Sequence, residues 1–363
     1  MNCIKTVFAG DLFCDNDSFE ISNKVVDFFK EHDLRCGNLE GTIDFDDKKN
    51  ILKVGPILKQ NEKVLSLIKK LKINYLNLAN NHILDNGYES CEKTIRLLGR
   101  IKLLGFGDRK NAYKLHVFKK YNIKIGLLSF SEWSFSTLVK ENKCGSAWIN
   151  DSYVNLLISE AKKKVDFLII NIHAGAENLC VPLPEWKEKY KEIINLGADI
   201  IVGHHPHVIQ GFEKYKKGLI FYSLGNFYFG KNDISNGLLL SIKFYKKKFI
   251  FRTKIIKKEN NIILLEKENN KKLEKLNSLI KGKKYYQIVK KYCKNNWKNQ
   301  IKRYIEFFVI GVYIKNIFLI IVKRIFDWIM GKKFNRIKNL YLVHSIMNET
   351  NRFIIYRAIF IKK

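Results

Sequence analysis

The stretch "ADIIVGHHPHVIQG" at residues 198–211 carries three of the eight histidines in this 363-residue chain. An apolar run leads directly into the histidines, a pattern typical of a buried strand that ends in a polar loop. The proline stiffens the loop, and paired imidazoles are common ligands of borderline divalent metals. Taken alone, the stretch fits a metal site and an ordinary polar turn equally well.

The same arrangement recurs through the first 240 residues, where short apolar runs end in polar side chains. The runs are IKTVFA before Gly10-Asp11, LRCGNLEG with Asn38 and Glu40, INYLNLA before Asn80-Asn81-His82, DFLIINI before His173, and LIFYSL before Gly225-Asn226. Helical patterns lie between them at residues 60–70, 86–100 and 184–196. Alternating strands and helices predict an α/β fold. Ligands of such sheets gather at the carboxyl ends of the strands, where these polar residues fall.

The composition indicates a globular protein with a large core, since 46% of the residues are apolar. Its seven cysteines are scattered without a CxxC pair, which predicts reduced thiols. The start MNCIKTVFAGD lacks the charged segment, apolar core and cleavage site of a secretory signal. We therefore expect a cytoplasmic protein that is not exported.

The charge divides the chain into two regions. Residues 1–240 hold 34 Lys and Arg against 28 Asp and Glu, whereas residues 241–363 hold 32 against 7. The pattern over 236–258 predicts a strand hairpin that closes the first domain. We therefore predict a domain over 1–258 and a basic, mostly helical region over 259–363, which favours anionic partners.

The most apolar part of the basic region is residues 301–330, and its segment 307–330 is interrupted by Lys315 and Lys323-Arg324. That is too broken for a membrane span. Two alternatives remain: a basic amphipathic helix on the inner face of the cytoplasmic membrane, or a helix packed on the domain. A further helix is predicted over 338–360, with His344 as a surface or packing residue.

The polar residues at the strand ends form a plausible ligand set for two divalent metal ions, because carboxylate, amide and imidazole donors suit Mn, Fe and Zn. Two such ions can activate a water and hold both the attacking and the leaving oxygen when a phosphoester is hydrolysed. Glu40 is the candidate bridging ligand. The predicted ligands are Asp11, Glu40, Asn81, His173, His205 and His207.

The segment NNHILDNG at residues 80–87 supplies the candidate catalytic residues. His82 follows a predicted ligand directly, so it can reach the substrate as a general acid or transition-state stabiliser. Asp85 has two equal interpretations. It either orients His82 or caps the helix that follows.

Six motifs in order closely resemble the CapA, or bacterial capsule-synthesis, branch of the calcineurin-like metallophosphoesterases. They are AGD (9–11), NLEGTI (38–43), LANNHILDNG (78–87), NIHAGAE (171–177), GADIIVGHHPHVIQ (197–210) and YSLGNF (222–227). The resemblance covers about residues 4–256. It implies a four-layer sandwich of two mixed sheets flanked by helices, with a dimetal site at the loops where the sheets meet.

The resemblance also implies residue roles. The metal ligands are the set given above, Asn81 and His82 resemble the Asn-His pair of the superfamily, and Glu177 lies near the substrate. Five residues are predicted to bind substrate: Asn38, Thr42, Glu177, His204 and Asn226. The wider superfamily opens with Asp-x-His, whereas this chain has Asp11-Leu12-Phe13, so one ligand of the first metal is missing. Glu40 also stands where many relatives have Asp.

Three functions are compatible with these residues. The preferred one is a dimetal phosphoester-type hydrolase in the production of capsule, exopolysaccharide or poly-γ-glutamate, acting on an anionic polymer or phosphoester. The second is a non-catalytic metal-binding scaffold or polymer-handling subunit of a capsule assembly system. The third, a metallo-nuclease, is disfavoured because the basic region lacks interleaved stacking aromatics, and no specific nucleic acid is expected.

Overall fold

The computed structural model describes residues 2–15, 20–43, 50–53, 55–139, 143–230, 236–259, 261–266, 270–296, 344 and 347–360. The strands are β1 (Ile4–Phe13), β2 (Glu20–Ile21), β3 (Leu34–Leu39), β4 (Thr42–Ile43), β5 (Lys59–Gln60), β6 (Tyr75–Asn77), β7 (Lys102–Leu104), β8 (Phe106–Gly107), β9 (His116–Lys120), β10 (Ile123–Ser131), β11 (Gly145–Ser146), β12 (Phe167–His173), β13 (Ile200–His204), β14 (Ile209–Tyr215), β15 (Gly218–Leu224), β16 (Asn226–Phe229), β17 (Gly237–Phe244), β18 (Phe249–Glu259) and β19 (Ile262–Leu265). The helices are α1 (Asn23–Lys30), α2 (Lys63–Lys70), α3 (Gly87–Leu98), α4 (Arg109–Ala112), α5 (Val154–Lys163), α6 (Pro184–Asn195), α7 (Asn270–Lys281), α8 (284–296) and α9 (Glu349–Phe360).

Two mixed sheets form the centre of the fold. The first has the order β2-β19-β18-β17-β1-β3-β6-β7, with β16 also paired to β1. Its β1, β3, β6 and β7 run parallel, whereas β17, β18 and β19 pair antiparallel. The second has the order β14-β15-β13-β12-β10-β9, with a parallel centre and antiparallel edges. Two short two-stranded sheets, β11-β8 and β4-β5, complete the set in the described residues.

Three apolar cores separate four layers. In β1, Ile4 and Phe8 face the second sheet, whereas Val7 and Ala9 face the helices, because successive side chains of a strand point to opposite faces. The middle core joins the two sheets, and buried residues such as Phe221 contribute about 1.5–3 kcal/mol each. The outer cores hold α1, α2 and α3 on one side and α5 and α6 on the other. The predicted α/β sandwich of two mixed sheets flanked by helices is confirmed.

The helices predicted from periodicity are present and slightly shorter than predicted. α2, α3 and α6 occupy the segments predicted at 60–70, 86–100 and 184–196. Pro184 begins α6, where its missing N–H costs nothing, and Trp186 and Tyr190 pack on the second sheet. The predicted hairpin is β17 and β18.

Part of the basic region packs on the two sheets of the first domain. The first sheet continues past residue 258 through β19, which ends at Leu265. Ile280 of α7, Val289 of α8 and Ile354 of α9 are buried in the outer core of the second sheet. The apolar segment 301–330, with its two alternatives, lies outside the described residues. Within the described chain, no helix combines the length and apolar character needed to cross a membrane.

Candidate metal centre

The polar strand ends of both sheets converge at one edge of the sandwich. Asp11 lies near the end of β1, and Glu40 follows β3 in the first sheet. His173 ends β12, and His204 ends β13 in the second. The chain reaches this arrangement because parallel strands carry their carboxyl ends to the same edge.

Gly10 explains the AGD motif in physical terms. A Cβ at this position would lie 1.8 Å from the carbonyl oxygen of Gly225, so only glycine allows β1 to approach that turn. The next residue, Asp11, donates its backbone N–H to the same oxygen at 3.0 Å. The close contact therefore fixes Asp11 at the junction of the two sheets.

The Asp11 carboxylate is fully buried and accepts three hydrogen bonds. Oδ1 accepts from Asn38 Nδ2 at 2.8 Å and lies 3.0 Å from His204 Nδ1, and Oδ2 accepts from the backbone N–H of His205 at 3.1 Å. Burial opposes ionisation, but the hydrogen bond and charge of His204 outweigh it and lower the pKa of Asp11. The group is held as a carboxylate.

Glu40 has a different environment. Its side chain is fully buried, and neither carboxylate oxygen has a hydrogen-bond partner among the described residues. Oε1 instead lies 3.8 Å from Nε2 of each of His82, His173 and His207. Burial and then the charge of Asp11 raise the pKa of Glu40 well above its usual range. An orphaned buried carboxylate that faces three imidazoles fits a site for a cation.

The histidines of the opening stretch lie on a constrained loop. His205 and His207 both adopt positive φ, 94° and 58°, which non-glycine residues adopt at an energetic cost. His205 Nδ1 lies 3.1 Å from His173 Nε2, and Asn81 Oδ1 lies 2.8 Å from the same nitrogen of His173. The loop turns both imidazoles toward the carboxylates of the first sheet.

The donors form overlapping groups in the described chain. Glu40, His173 and His205 make one group, and Asp11, Glu40 and His207 make another, each with its ligand atoms within 4.8 Å of one another. Glu40 is common to both. A third group combines the exposed Glu177 with His205 and His207. The predicted ligands are therefore brought together, and their donor types suit Mn, Fe or Zn.

The predicted catalytic pair is in contact. His82 Nδ1 lies 2.6 Å from Asp85 Oδ2, and the other carboxylate oxygen pairs with the buried Lys53 ammonium. The backbone N–H of Leu58 also donates to Asp85 Oδ2 at 2.9 Å. Burial and then Lys53 lower the pKa of His82. Of the two interpretations of Asp85, this geometry matches the one in which it orients His82.

Four of the predicted substrate-binding residues are placed to position other groups. Asn38 is fully buried, and Asn77 Nδ2 donates a hydrogen bond to its Oδ1 at 2.7 Å. Thr42 is buried and accepts from Asn86 Nδ2 at 2.8 Å. Asn226 Oδ1 lies 3.0 Å from His207 Nδ1, and His204 contacts Asp11 as described above. Their substrate contacts stay predictions.

Phe13 occupies the position at which the family resemblance expects a second ligand of the first metal. Its ring packs 5.1 Å from that of Phe229, and Phe229 lies 4.3 Å from the ring of His207. An aromatic pair therefore covers this side of the site and supplies no donor.

A cavity of about 370 Å³ opens over the candidate metal centre. Its walls include Asn81, His82, His173, His205 and the exposed Glu177, all predicted from the sequence. Its other walls include residues that sequence reasoning missed, namely Lys53, Glu132, Tyr292, Asn296, Asn348, Thr350 and Asn351, together with His344, which was expected to lie at the surface or in helix packing. Glu132 directly follows the apolar strand β10, so the rule of polar residues at strand ends could have identified it. The remaining residues carry no such signal.

Sequence comparison identifies relatives over the same region. The model of the family "Bacterial capsule synthesis protein PGA_cap" matches residues 6–231. A "Capsule biosynthesis protein CapA" of Bacillus anthracis is 34% identical over 240 residues, which are 61% of this chain and 58% of the relative. A "PGA biosynthesis protein CapA" of Bacillus subtilis is 31% identical over 206 residues, which are 55% of this chain and 54% of the relative.

Two solved structures that resemble this fold have low sequence identity to the chain. The NAD nucleotidase of Haemophilus influenzae matches with a TM-score of 0.41 and 13% identity, covering 78% of this chain and 56% of that one. Zinc-bound Vps29 of Entamoeba histolytica matches with a TM-score of 0.31 and 10% identity, covering 72% of this chain and 97% of that one.

The family match includes the six sequence motifs and all the predicted metal ligands, from Asp11 to His207. The chain spans somewhat more than half of the length of each of these two CapA relatives. It belongs to the bacterial capsule synthesis protein family PGA_cap.

Proposed function

We propose that this chain is a divalent-metal-dependent hydrolase of a phosphoester-type linkage, acting in the production of capsule polymer or poly-γ-glutamate. The observation that carries the proposal is the buried Glu40 carboxylate, which has no hydrogen-bond partner among the described residues and faces three imidazole Nε2 atoms at 3.8 Å. Such a carboxylate is costly unless a cation compensates it. The names of the two CapA relatives supply the biological setting.

The residues that would hold two metal ions are Asp11, Glu40, Asn81, His173, His205 and His207. Bound there, such ions would supply an activated water and charge stabilisation for the displaced oxygen. Glu40 belongs to both donor groups, and this supports a bridging role. The substrate class we propose is an anionic polymer or a phosphoester, bound in the cavity above His173 and His205.

His82 is the proposed proton-transfer residue. Asp85 Oδ2 lies 2.6 Å from His82 Nδ1, so His82 Nε2 is the nitrogen left to exchange a proton with the substrate. Nε2 lies 3.8 Å from Glu40 Oε1, and the ring lines the cavity. The imidazole is therefore both oriented and accessible.

The first test is elemental analysis of the purified chain beside an Asp11→Ala/His207→Ala variant, with phosphomonoester and phosphodiester assays on the same samples. We expect about two metal ions per chain and hydrolysis, both lost in the variant. Absence of metal in the unaltered chain, after reconstitution with Mn, Fe and Zn, would contradict the proposal.

A metal-binding, non-catalytic polymer-handling subunit is the second candidate. Phe13 favours it, because an aromatic side chain packed on Phe229 stands where the resemblance expects a metal ligand, and a phenyl ring cannot bind a metal as imidazole does. His82→Ala separates the two candidates. We expect it to lower the turnover of a hydrolase by about 10²–10⁴-fold at unchanged metal content, whereas a scaffold would retain capsule production in cells carrying the variant.

Peripheral contact with the inner face of the cytoplasmic membrane, or with a capsule synthesis complex, is proposed from the basic charge of the chain after residue 240. Replacing Lys315, Lys323 and Arg324 with Gln tests it without removing α9, which lines the cavity. We expect the altered chain to move from the membrane pellet to the supernatant. An unchanged pellet fraction would contradict electrostatic attachment.

A further inference from the structure

We propose that Glu132 is a positioning residue for His205 and that α9 holds Glu132 in place. The proposal rests on the metal centre of the proposed function. It assigns a role to a residue that sequence reasoning missed, and it makes a segment beyond the family match, which ends at residue 231, part of the site.

The orientation of the His205 ring is the first observation. Its Nδ1 faces the donor group, 3.1 Å from His173 Nε2. Its Nε2 faces Oε1 of Glu132 at 3.6 Å. The ring therefore presents one nitrogen to the metal ligands and the other to a buried carboxylate. Metal-binding histidines commonly direct their second nitrogen at a carboxylate, which fixes the tautomer and the plane of the ring. At 3.6 Å the Glu132 contact is an electrostatic one just beyond hydrogen-bond distance.

The contacts of Glu132 are the second observation. Its side chain is 4% exposed, and Oε2 accepts from Thr350 Oγ1 at 2.6 Å and from the Thr350 backbone N–H at 3.2 Å. The backbone N–H of Gly175 donates to Oε1 at 3.3 Å. Three donors therefore surround the carboxylate, which leaves Oε1 directed at His205.

The direction of the Thr350 hydrogen bond follows from its other partner. Trp186 Nε1 lies 2.8 Å from Thr350 Oγ1, and an indole N–H can only donate. The hydroxyl oxygen therefore accepts from Trp186, and its single proton is available for Glu132. The two hydrogen bonds therefore run in one direction, because Trp186 of α6 donates to Thr350 of α9 and Thr350 donates to Glu132.

Glu349 fixes the start of α9 beside Glu132. Its carboxylate accepts from the Trp133 backbone N–H at 2.9 Å, from Trp148 Nε1 at 2.8 Å and from Asn150 Nδ2 at 2.9 Å. Asn348 Nδ2 donates to the Trp133 carbonyl oxygen at 2.9 Å. Since Trp133 follows Glu132 and Glu349 precedes Thr350, these bonds tie the two segments together next to the contact between Glu132 and Thr350.

The test compares Glu132→Gln and Thr350→Val with the unaltered chain. Thr350→Val keeps the side-chain shape and removes the hydroxyl donor, so it serves if Glu132→Gln fails to fold. The matched control is Arg357→Gln, which removes the ion pair of α9 with Glu185, at 2.7 Å, away from the cavity. Metal affinity is measured by competition with a chromophoric chelator, and Co²⁺ absorption reports the ligand geometry.

We expect both variants to weaken metal binding by about 10–100-fold and to alter the Co²⁺ spectrum, with Arg357→Gln unchanged. Unaltered affinity and spectrum in both variants would overturn the proposal. A chain that binds metal normally but hydrolyses nothing would contradict the hydrolase and leave the positioning role standing. If the unaltered chain binds no metal, histidine-selective ¹⁵N spectra decide: an Nε2-protonated His205 that changes in Thr350→Val supports the role, and an unchanged signal overturns it.

Discussion

Glu40 Oε1 lies 3.8 Å from His173 Nε2, and this contact joins the end of β3 in the first sheet to the end of β12 in the second. Neither residue is near the other in sequence. The sandwich brings a buried carboxylate without a described hydrogen-bond partner to an imidazole whose nitrogen also faces Asn81 and His205. The junction of the sheets therefore carries an electrostatic cost that a cation would relieve.

Glu40→Gln is expected to leave the melting temperature of the metal-free chain unchanged or to raise it. The same variant should lose the rise in melting temperature that added metal produces. Burial of an unpaired carboxylate opposes its ionisation, and a neutral amide at this position removes the charge that folding must bury in the absence of metal. Thermal melts in EDTA and in excess Mn²⁺ or Zn²⁺ measure both effects. Glu213→Gln is the control, because Glu213 is buried but bonded to Tyr222 at 2.7 Å and belongs to none of the candidate ligand groups. A lower melting temperature for Glu40→Gln in EDTA would contradict the prediction.

Asp85→Asn is expected to destabilise the chain by about 3–5 kcal/mol, because it leaves the Lys53 ammonium buried without its counterion. The Lys53 and Asp85 side chains are only 4% and 0% exposed. Urea unfolding measures the loss. The double variant Lys53→Met/Asp85→Asn removes both charges and should recover part of it. Equal destabilisation of the single and double variants would show that the ion pair is not the cause.

Acidification below about pH 6.5 is expected to weaken folding through His32. This residue is 3% exposed, lies 2.7 Å from both the Phe28 carbonyl oxygen and the Ser241 hydroxyl, and has its pKa lowered by burial. The unfolded chain then takes up a proton that the folded chain resists. One such proton changes the unfolding free energy by at most about 1.4 kcal/mol per pH unit.

His32→Gln checks this pH dependence, because Gln keeps hydrogen-bonding capacity without titrating. Urea unfolding in EDTA at pH 7, 6 and 5 should give a shallower loss of stability in the variant than in the unaltered chain. Parallel pH profiles for the two proteins would rule out a contribution from His32, since the other histidines are common to both.

Gly10→Ala is expected to destabilise the chain by more than about 3 kcal/mol and to weaken metal binding. The new Cβ would lie 1.8 Å from a backbone oxygen of Gly225, which cannot rotate away, so the Asp11 turn must move. Gly37→Ala on the next strand is the matched control, because its Cβ would come close, at 2.6 Å, to the flexible end of the Leu12 side chain and not to backbone. Similar losses in the two variants, measured by urea unfolding, would refute the steric argument.

The sequence alone determined the fold class and predicted the location of the site. Apolar runs such as ADIIV and DFLIINI predict buried parallel strands, and the polar residues after them must meet at one sheet edge. That local rule was enough to assemble Asp11, Glu40 and His173 as candidate ligands. It could not separate ligands from residues that position them, because Asn38 and His204 also lie at strand ends and only the structure shows that their side chains contact Asp11.

Only the tertiary structure revealed the wall of the cavity and the support of His205. Glu132 and Thr350 are 218 residues apart, and no periodic pattern links them. Lys53 likewise reaches Asp85 from an irregular segment. Strand and helix patterns report which face of an element is buried, whereas these contacts depend on how distant elements pack. Periodicity therefore determined the sheets and the ends of their strands, and packing alone decided which side chains complete the site.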